Sequence, residues 1–530
     1  MLDDDAVSDL ITDMWTLHLS ERSRFDRVYE YVKGRAGIPD IPDGSGDEIK
    51  ELAALSVKNV LALVRDSFTQ NLSVVGFREA GARQNDAAWR VWQANRMDAR
   101  QSEVYRSALT YGVGYVTVLP GESGPVWRPR SPRQLVAVYE DPQVDAWPQY
   151  AMETWLDTSD GAPRRKALFL DSEWAYPVDL GEVPKMLSER DRQLSESARP
   201  LRVEEFGEPF RHDAEVDGEP VCPVIRFVND RDTEDLIVGE VEPLIVLQRA
   251  INSVNLDRLI VSRFGAFPQK VISGWSASPD EVLKASASRV WAFEDEGVKA
   301  SSLPSADVGQ YNELLTEMLE HVAMVAQISP AQLTGKMINV SAEALAAAEA
   351  NQQRKLAAKR ESFGESWEQV LRVSAGMDDD VATAQDTLAE VVWRDTEARS
   401  FGAVVDGVTK LAAAGVPIEA LLTMVPGMTQ QQVSAVQDSM RSSAVRDLVA
   451  GLSAQAGQAM QDPAVAELTS AVVDPDQVKK AADAMGVLIR SGVDPADAAE
   501  RTGMAGLKFT GAVPVNLRMP ETDANKLEEK

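Results

Sequence analysis

Three glutamates, Glu313, Glu317 and Glu320, follow one another at spacings of four and three residues. In a helix this spacing places them within an arc of about 60°, on one side. Such a row offers electrostatic rather than covalent chemistry, because it repels a polyanion and attracts cations. An ordinary solvated helix surface would show the same pattern, so the spacing leaves both interpretations open.

A single base, Lys336, lies between Asp307 and Glu349, in a stretch that contains six acids. It belongs to the segment SPAQLTGKMINV (329–340), which the pattern predicts to be a loop between two helices. A lone cation among small and apolar neighbours fits a contact point for a polyanion. It fits an ordinary solvated lysine equally well.

The motifs of common catalytic sites are absent. Gly335–Lys336 lacks the earlier glycine and the following Ser or Thr of a phosphate-binding loop. Gly112 and Gly114 lack the third glycine of a dinucleotide fingerprint and predict a turn from helix to strand.

Asp378–Asp380 predicts a solvated turn rather than a cation site. Cys222 predicts a buried apolar group, and the three histidines, at 18, 212 and 321, lack metal-ligand spacing. We therefore expect no enzymatic activity, no cofactor and no metal.

Composition restricts the class of protein. The 530 residues include 54 Lys and Arg and 83 Asp and Glu, for a formal charge of −29. This argues against a protein that grips nucleic acid with a general basic surface. One cysteine forbids an intrachain disulfide, and no apolar run is long enough to span a membrane. The acidic N-terminus does not resemble a signal peptide, so we expect a soluble protein made in a reducing compartment.

The elements that must position these residues change in type along the chain. The first 70 residues predict two helices, the second opening at Asp47 and continuing through Val64. Residues 112–230 alternate with a period near two, which predicts an antiparallel or mixed sheet interrupted by a helix near 184–197. After residue 230 the periodicity becomes mostly helical, and it predicts helices at 243–264, 307–328 and 341–375. A strand is predicted at 390–395, and short Ala-rich helices follow up to about residue 506.

Several segments, in this order, carry a resemblance to a known family. They are NLSVVGF (71–77), WQAN (92–95), ALTYGVGYVTV (108–118), VGEVEPLIVLQRAINSVNLDRLIVSRFGAFPQKVISG (238–274), ISPAQLTGKMINVSAEAL (328–345), AAKRESFGESWEQVLRVSAG (357–376) and VVWRDTEARSFGAVVDGVTKLAAAGVP (391–417). The chain resembles the portal proteins, or head-to-tail connectors, of tailed double-stranded DNA bacteriophages. The resemblance covers the chain up to about residue 440.

The resemblance implies an α+β fold: an elongated subunit with a mixed α/β wing, a long helical stem, a small α/β clip and an α-helical C-terminal crown. The implied parts are a wing at 1–230, stem helices at 231–264 and 307–328, a clip at 265–306, a tunnel loop at 329–340, a long helix at 341–375, a wing return strand at 376–400, crown-like helices at 401–506 and a tail at 507–530 that we expect to be disordered.

The family also implies a function. A homo-oligomer, expected to be a twelve-membered ring at one capsid vertex, would form the channel through which a separate terminase motor packages genomic DNA. The ring would then retain and release the genome. The implied partners are double-stranded DNA, the terminase large subunit, the major capsid protein and a head-tail adaptor, with no membrane. Its location would be the virion, after assembly in the host cytoplasm.

The resemblance gives the charged residues a role. The tunnel loop would present its residues to DNA, and these are Gln332, Leu333, Thr334, Gly335, Lys336, Met337, Ile338 and Asn339. Glu313, Glu317 and Glu320 would line the channel. The alternatives are another virion structural or scaffold protein and, more remotely, an enzyme that uses buried carboxylates.

Overall fold

The computed structural model describes only part of the chain. The described residues are 1–80, 85–159, 161–183, 203–265, 270–273, 299–302, 307–335, 342–396, 401–414, 416, 421, 432, 435, 436, 439, 440 and 501. The chain divides into two compact units, Met1–Ala435 and Val436–Lys530. Every element named below belongs to the first unit. The helix predicted near 184–197, most of the predicted crown and the tail at 507–530 lie outside the described residues.

The N-terminal region forms three helices rather than two, so the prediction of one continuous second helix was wrong. The helices are α1 (Asp4–Val32), α2 (Asp47–Leu55) and α3 (Val60–Thr69). The chain leaves the helix at residues 56–59 because side chains of a later helix bind the backbone there. Asn255 donates to the Ser56 carbonyl at 2.7 Å, and Asn252 accepts from the Lys58 amide at 3.1 Å.

A strand and two further helices lead into the sheet region. They are β1 (Val74–Arg78), α4 (Asp86–Ala94) and α5 (Met97–Tyr111). Gly112 ends α5 at φ +92°, where a β-carbon would approach the side chain of Ile237 to 2.8 Å. Only glycine fits this close approach in a left-handed conformation, which confirms the predicted turn from helix to strand.

The alternating pattern predicts antiparallel or mixed sheets, and in the structure the paired strands are antiparallel. Their strands are β2 (Val113–Leu119), β3 (Val126–Arg130), β4 (Leu135–Val138), β5 (Tyr150–Asp157), β6 (Arg164–Leu170), β7 (Trp174–Glu182), β8 (Glu205–Phe206), β9 (Phe210–Arg211), β10 (Glu215–Val216), β11 (Glu219–Pro220) and β12 (Val224–Val228). One sheet has the order β12-β2-β3, and a larger one runs β4-β5-β6-β7-β8 with β9 also paired to β7. The β10-β11 pair is a separate hairpin. The first half of α1 packs on the larger sheet.

The long helices of the later region appear close to their predicted positions. The remaining elements are α6 (Ile245–Gly265), β13 (Lys270–Ser273), β14 (Lys299–Ser302), α7 (Gly309–Ala326), α8 (Pro330–Thr334), α9 (Ala342–Met377), α10 (Val381–Ala384), β15 (Glu390–Trp393) and α11 (Phe401–Ala413). A 3₁₀ turn, Glu242–Leu244, with Pro243 in its first positions, precedes α6. Strand β15 pairs with β1, so the chain returns to its N-terminal region.

The centre of the largest core is an aromatic cluster around the second half of α9. Trp367 is fully buried, and its ring centroid lies 4.7 Å from that of Phe227 and 5.0 Å from that of Trp92. Its indole N–H donates to the Tyr105 hydroxyl at 2.9 Å. Because each of these rings comes from a different element, the cluster fastens α9 to α4, α5 and β12.

Candidate functional site

The glutamate row lies on a helix that packs with α6. Helix α7 buries Leu315, Val322 and Ala326, and Arg258 of α6 donates to the amide oxygen of Asn312 at 3.2 Å. Glu313, Glu317 and Glu320 are all exposed to solvent. The packed side of α7 and the acidic side therefore point in nearly opposite directions around the helix.

The helical spacing predicts an apolar side of α7, and the structure buries only part of it; the predicted residues are Tyr311, Leu314, Leu315, Met318, Val322 and Val325. Leu315, Val322 and, in part, Met318 pack inward as expected, but the side chains of Leu314 and Val325 are 41% and 49% exposed. The buried stripe is rotated away from them, toward Ala323 and Ala326, because α6 and the core contact α7 from that direction. These two apolar residues are left beside the acidic row.

The segment after α7 begins with a short helix. Pro330 occupies the first turn of α8, and Gly335, at φ +67°, ends it by donating its N–H to the Ala331 carbonyl at 2.9 Å. The fixed φ of proline and the left-handed freedom of glycine explain why the helix spans only Pro330–Thr334. The first half of the segment that was predicted to be a loop therefore contains a short helix.

The residues of α8 are only partly covered, and Gln332 and Leu333 make their contacts with the subunit. The amide nitrogen of Gln332 donates to Gln352 of α9 at 2.9 Å, and Gln352 in turn donates to the Ser67 carbonyl of α3 at 3.2 Å. Leu333 packs against the main core, and Thr334 bonds the Pro330 carbonyl at 3.0 Å. Gly335 is exposed. Lys336, Met337, Ile338 and Asn339 lie outside the described residues.

A buried ionic cluster, which the sequence patterns did not reveal, joins α9 to the segment before α6. The carboxylate of Glu240 contacts the ammonium groups of Lys355 and Lys359, the latter at 2.5 Å, and Lys359 also donates to Asn229 at 2.6 Å. Burial alone would raise the pKa of the Glu240 carboxyl, but the two ammonium groups outweigh it and hold that pKa below its ordinary value. The only sequence signal was a pair of lysines four residues apart.

The other groups considered for chemistry have structural surroundings. Cys222 is buried, which raises the pKa of its thiol well above the ordinary value. Asp380 caps α10 by accepting from the Thr383 backbone N–H at 3.3 Å, and it also accepts from the Thr383 hydroxyl at 2.8 Å. Among the described residues, no three histidine, cysteine, aspartate or glutamate side chains are grouped so as to hold a metal ion.

Within the part of the chain that the structure describes, no helix combines the length and the apolarity that crossing a membrane requires.

Comparison with known proteins supports the resemblance to portal proteins over most of the chain. The family model "Phage portal protein, SPP1 Gp6-like" matches residues 18–444. The portal protein of Mycobacterium phage D29 is 26% identical over 368 residues, which cover 66% of this chain and 71% of that protein. The portal protein of Mycobacterium phage L5 is 24% identical over 376 residues, with the same coverages.

Solved structures of gene transfer agent (GTA) particles are more distant. A chain of the neck of an empty GTA particle, computed with C6 symmetry, is 13% identical over 71% of this chain and 90% of its own, with a TM-score of 0.41. A chain of the native GTA virion is 14% identical over 76% of this chain and 100% of its own, with a TM-score of 0.37.

Proposed function

The chain belongs to the SPP1-like family of phage portal proteins, a structural component of the virion head, and from that premise we propose how it works. Copies of it, twelve in our proposal, form a ring-shaped channel at one capsid vertex. A separate terminase motor packages genomic DNA through this channel, and the DNA is later retained and ejected through it. The ring contacts the major capsid protein and the head-tail adaptor, and assembles in the host cytoplasm.

The exposed acidic row of α7 is the observation that carries the channel proposal. Glu313, Glu317 and Glu320 lie on the side of α7 opposite its packed side, free to face an axial space. DNA must slide during packaging, and each neutralised phosphate would strengthen binding through counterion release. A wall of carboxylates avoids that binding, so the net charge of −29 suits a protein that conducts DNA rather than holds it.

The parts of the subunit are assigned in the same proposal. Helices α6 and α7 form the stem, and the β13-β14 pair between them belongs to the clip, which faces the terminase and later the adaptor. The pairing of β15 with β1 supports a wing built from both ends of the first unit. The crown follows after about residue 400.

The loop after α8 is the proposed constriction of the channel. Gln332 and Leu333 anchor its start to the subunit, so the residues that would approach DNA begin at Gly335 and continue through Lys336, Met337, Ile338 and Asn339. We propose that Lys336 supplies one sparse ring of phosphate contacts in an otherwise acidic passage. A single cation per subunit is enough to steady DNA without halting it.

Two measurements test the proposal. Negative-stain images of the purified protein are expected to show closed rings with a central opening. The triple variant Glu313→Lys/Glu317→Lys/Glu320→Lys is expected to form rings but to package DNA at least tenfold less, because it replaces repulsion with phosphate binding. That defect should shrink as salt rises.

A matched control places the same change elsewhere. Glu205, Glu208 and Glu219 are exposed acids outside the helix pair, and their replacement by lysine should leave packaging unchanged. Absence of rings would refute the portal ring itself. Equal packaging by the α7 variant and the control variant would refute the channel-facing position of the row.

A further inference from the structure

A basic groove opens beside the second half of α1, in a protein that is otherwise strongly acidic. It has a volume of about 550 Å³ and lies between α1, α3, α5 and the β4–β6 side of the larger sheet. Among the described residues that line it, Glu103 is the one acid. The cations that line it are Arg22, Lys33, Arg65, Arg106, Arg133 and Arg165.

Two aspartates beside the groove, which are not among its lining residues, each contact two guanidinium groups. Asp26 lies 3.3 Å from Arg22 and 2.5 Å from Arg133. Asp66 likewise contacts Arg65 at 2.9 Å and Arg106 at 3.6 Å. Even with these two aspartates counted beside Glu103, the described residues that line the groove hold more cations than these carboxylates balance.

The positive charge sits deep in the groove. The side chains of Arg22, Arg65 and Arg133 are 11%, 16% and 14% exposed. His18, at the base of the same region, has its pKa lowered to about 3, first by burial and then by the charges of Arg22 and Arg165. Burial is the larger cause of this shift, and the two guanidinium groups add to it, so the surroundings disfavour a further positive charge.

The shape of the groove favours a protein side chain over nucleic acid. Trp155, Leu156 and Tyr29 also line it, so its wall is partly apolar. A double helix is much wider than such a cleft, and its phosphates could not reach the buried arginines. A carboxylate on a projecting side chain can enter and bind in the bidentate manner that arginine prefers.

The other end of α1 presents a matching row of carboxylates. Asp5, Asp9 and Asp13 are exposed and follow one another at intervals of four residues. They span about 80° of the helix circumference, on the side away from Ile11 and Met14, which pack on the sheet. Basic groove and acidic row thus lie on different surfaces of one subunit, as a head-to-tail contact requires.

We propose that the basic groove of one copy receives the acidic row, Asp5, Asp9 and Asp13, of a second copy of this chain. This inference rests on the proposed ring, because a repeated head-to-tail contact closes only when the rotation between copies returns to its start. The contact is polar and partly buried, so it sets the register between neighbours and depends on ionic strength.

Charge reversal with rescue tests the pairing. Lys33 is exposed and the side chain of Arg106 is 52% exposed, so Lys33→Glu/Arg106→Glu changes the mouth of the groove without disturbing its base. We expect this variant, and separately Asp5→Lys/Asp9→Lys/Asp13→Lys, to need at least tenfold more protein to form rings in mass photometry. Combining both sets of substitutions should restore assembly, because the charges are then exchanged across the contact.

The control reverses two exposed cations outside the groove. Lys50→Glu/Arg211→Glu should assemble as the unchanged protein does, and the circular dichroism melting temperatures of all the variants should agree. If the groove variant and the acidic-row variant each assemble normally on their own, the pairing is overturned while the ring proposal stays intact. Impaired assembly without rescue would overturn it too.

Two further results would overturn the inference. Loss of DNA binding by the groove variant in rings of normal stability would assign the groove to nucleic acid. Failure of the unchanged protein to form rings under any condition would remove the proposed function, and this inference with it.

Discussion

The second half of α9 and the outer side of α7 are both helical, yet they are constrained in different ways. Around Trp367, residues on several sides of α9 are buried against α4, α5 and β12. On α7 one side packs, and the other carries the three exposed carboxylates together with other exposed polar and apolar residues, Met324 among them. The identity of a residue in α9 is therefore determined by volume and shape, whereas on the outer side of α7 it is determined by charge.

This contrast separates stability from function within one subunit. Substitutions in the aromatic cluster should act on folding, whatever their effect on DNA. Substitutions in the acidic row should act on DNA and leave folding nearly unchanged. Two of the three predictions below test one half of this contrast each, and the other tests a titrating group at the edge of the cluster.

The largest effect is expected from Trp367→Ala. The change removes a fully buried indole and leaves the Tyr105 hydroxyl without its donor, so the free energy of unfolding should fall by about 3–5 kcal/mol. The urea midpoint, followed by circular dichroism, measures this. Trp155→Ala, at a ring that is 37% exposed, is the matched control and should shift the midpoint far less. Equal shifts would contradict the special position of the cluster.

An intermediate and pH-dependent effect is expected from Glu368→Gln on α9. Burial, then the nearby charge of Glu365, raises the pKa of the Glu368 carboxyl to about 7. A carboxyl with a higher pKa in the folded state contributes stability below its unfolded pKa, and that contribution is lost as the pH rises through about 7.

The variant removes this dependence. Relative to the unchanged protein, Glu368→Gln should therefore gain about 1–2 kcal/mol between pH 5 and pH 8, allowing for solvent screening. Melting temperatures at the two pH values measure the difference. Glu361→Gln, on an exposed position of the same helix, should show no such gain. A pH-independent difference for Glu368→Gln would show that the carboxyl is ionised throughout.

The smallest effect on folding is expected from the triple lysine variant of Glu313, Glu317 and Glu320. Its side chains are exposed, so each substitution should change the free energy of unfolding by no more than about 0.5 kcal/mol. The urea midpoint of the first unit is again the measurement. A large shift would mean that the row has a structural role, and the contrast with α9 would fail.

Much of the fold could be predicted because its determinants are local. The bounds of α6, α7 and α9, the strand at β15 and the turn at Gly112 all followed from periodicity, proline and glycine. The continuous second helix failed at residues 56–59. There, Gln248, Asn252 and Asn255, almost two hundred residues later, bind the backbone that a helix would have used. No local pattern reports such partners.

The candidate site also has one part that the sequence predicts and another that it does not. The acidic row could be read directly, because carboxylates spaced by three and four residues share one helix side wherever the helix lies. The exposure of Leu314 and Val325 could not, because it depends on the direction from which α6 packs. The basic groove was invisible for the same reason, since its cations are spread from Arg22 to Arg165 and meet only after the sheet and three helices assemble.

By itself, the sequence determined the long helices, the presence of a sheet region with antiparallel or mixed strands, the acidic row of α7 and membership of the portal family. Each of these depends on hydrogen bonding, spacing or residue order along the chain. Tertiary structure alone decided which apolar residues are covered, how Glu240 finds Lys355 and Lys359, and where six cations converge in an acidic protein. The physical reason is that burial and electrostatic fields depend on distances in space, which the chain sets only when it folds.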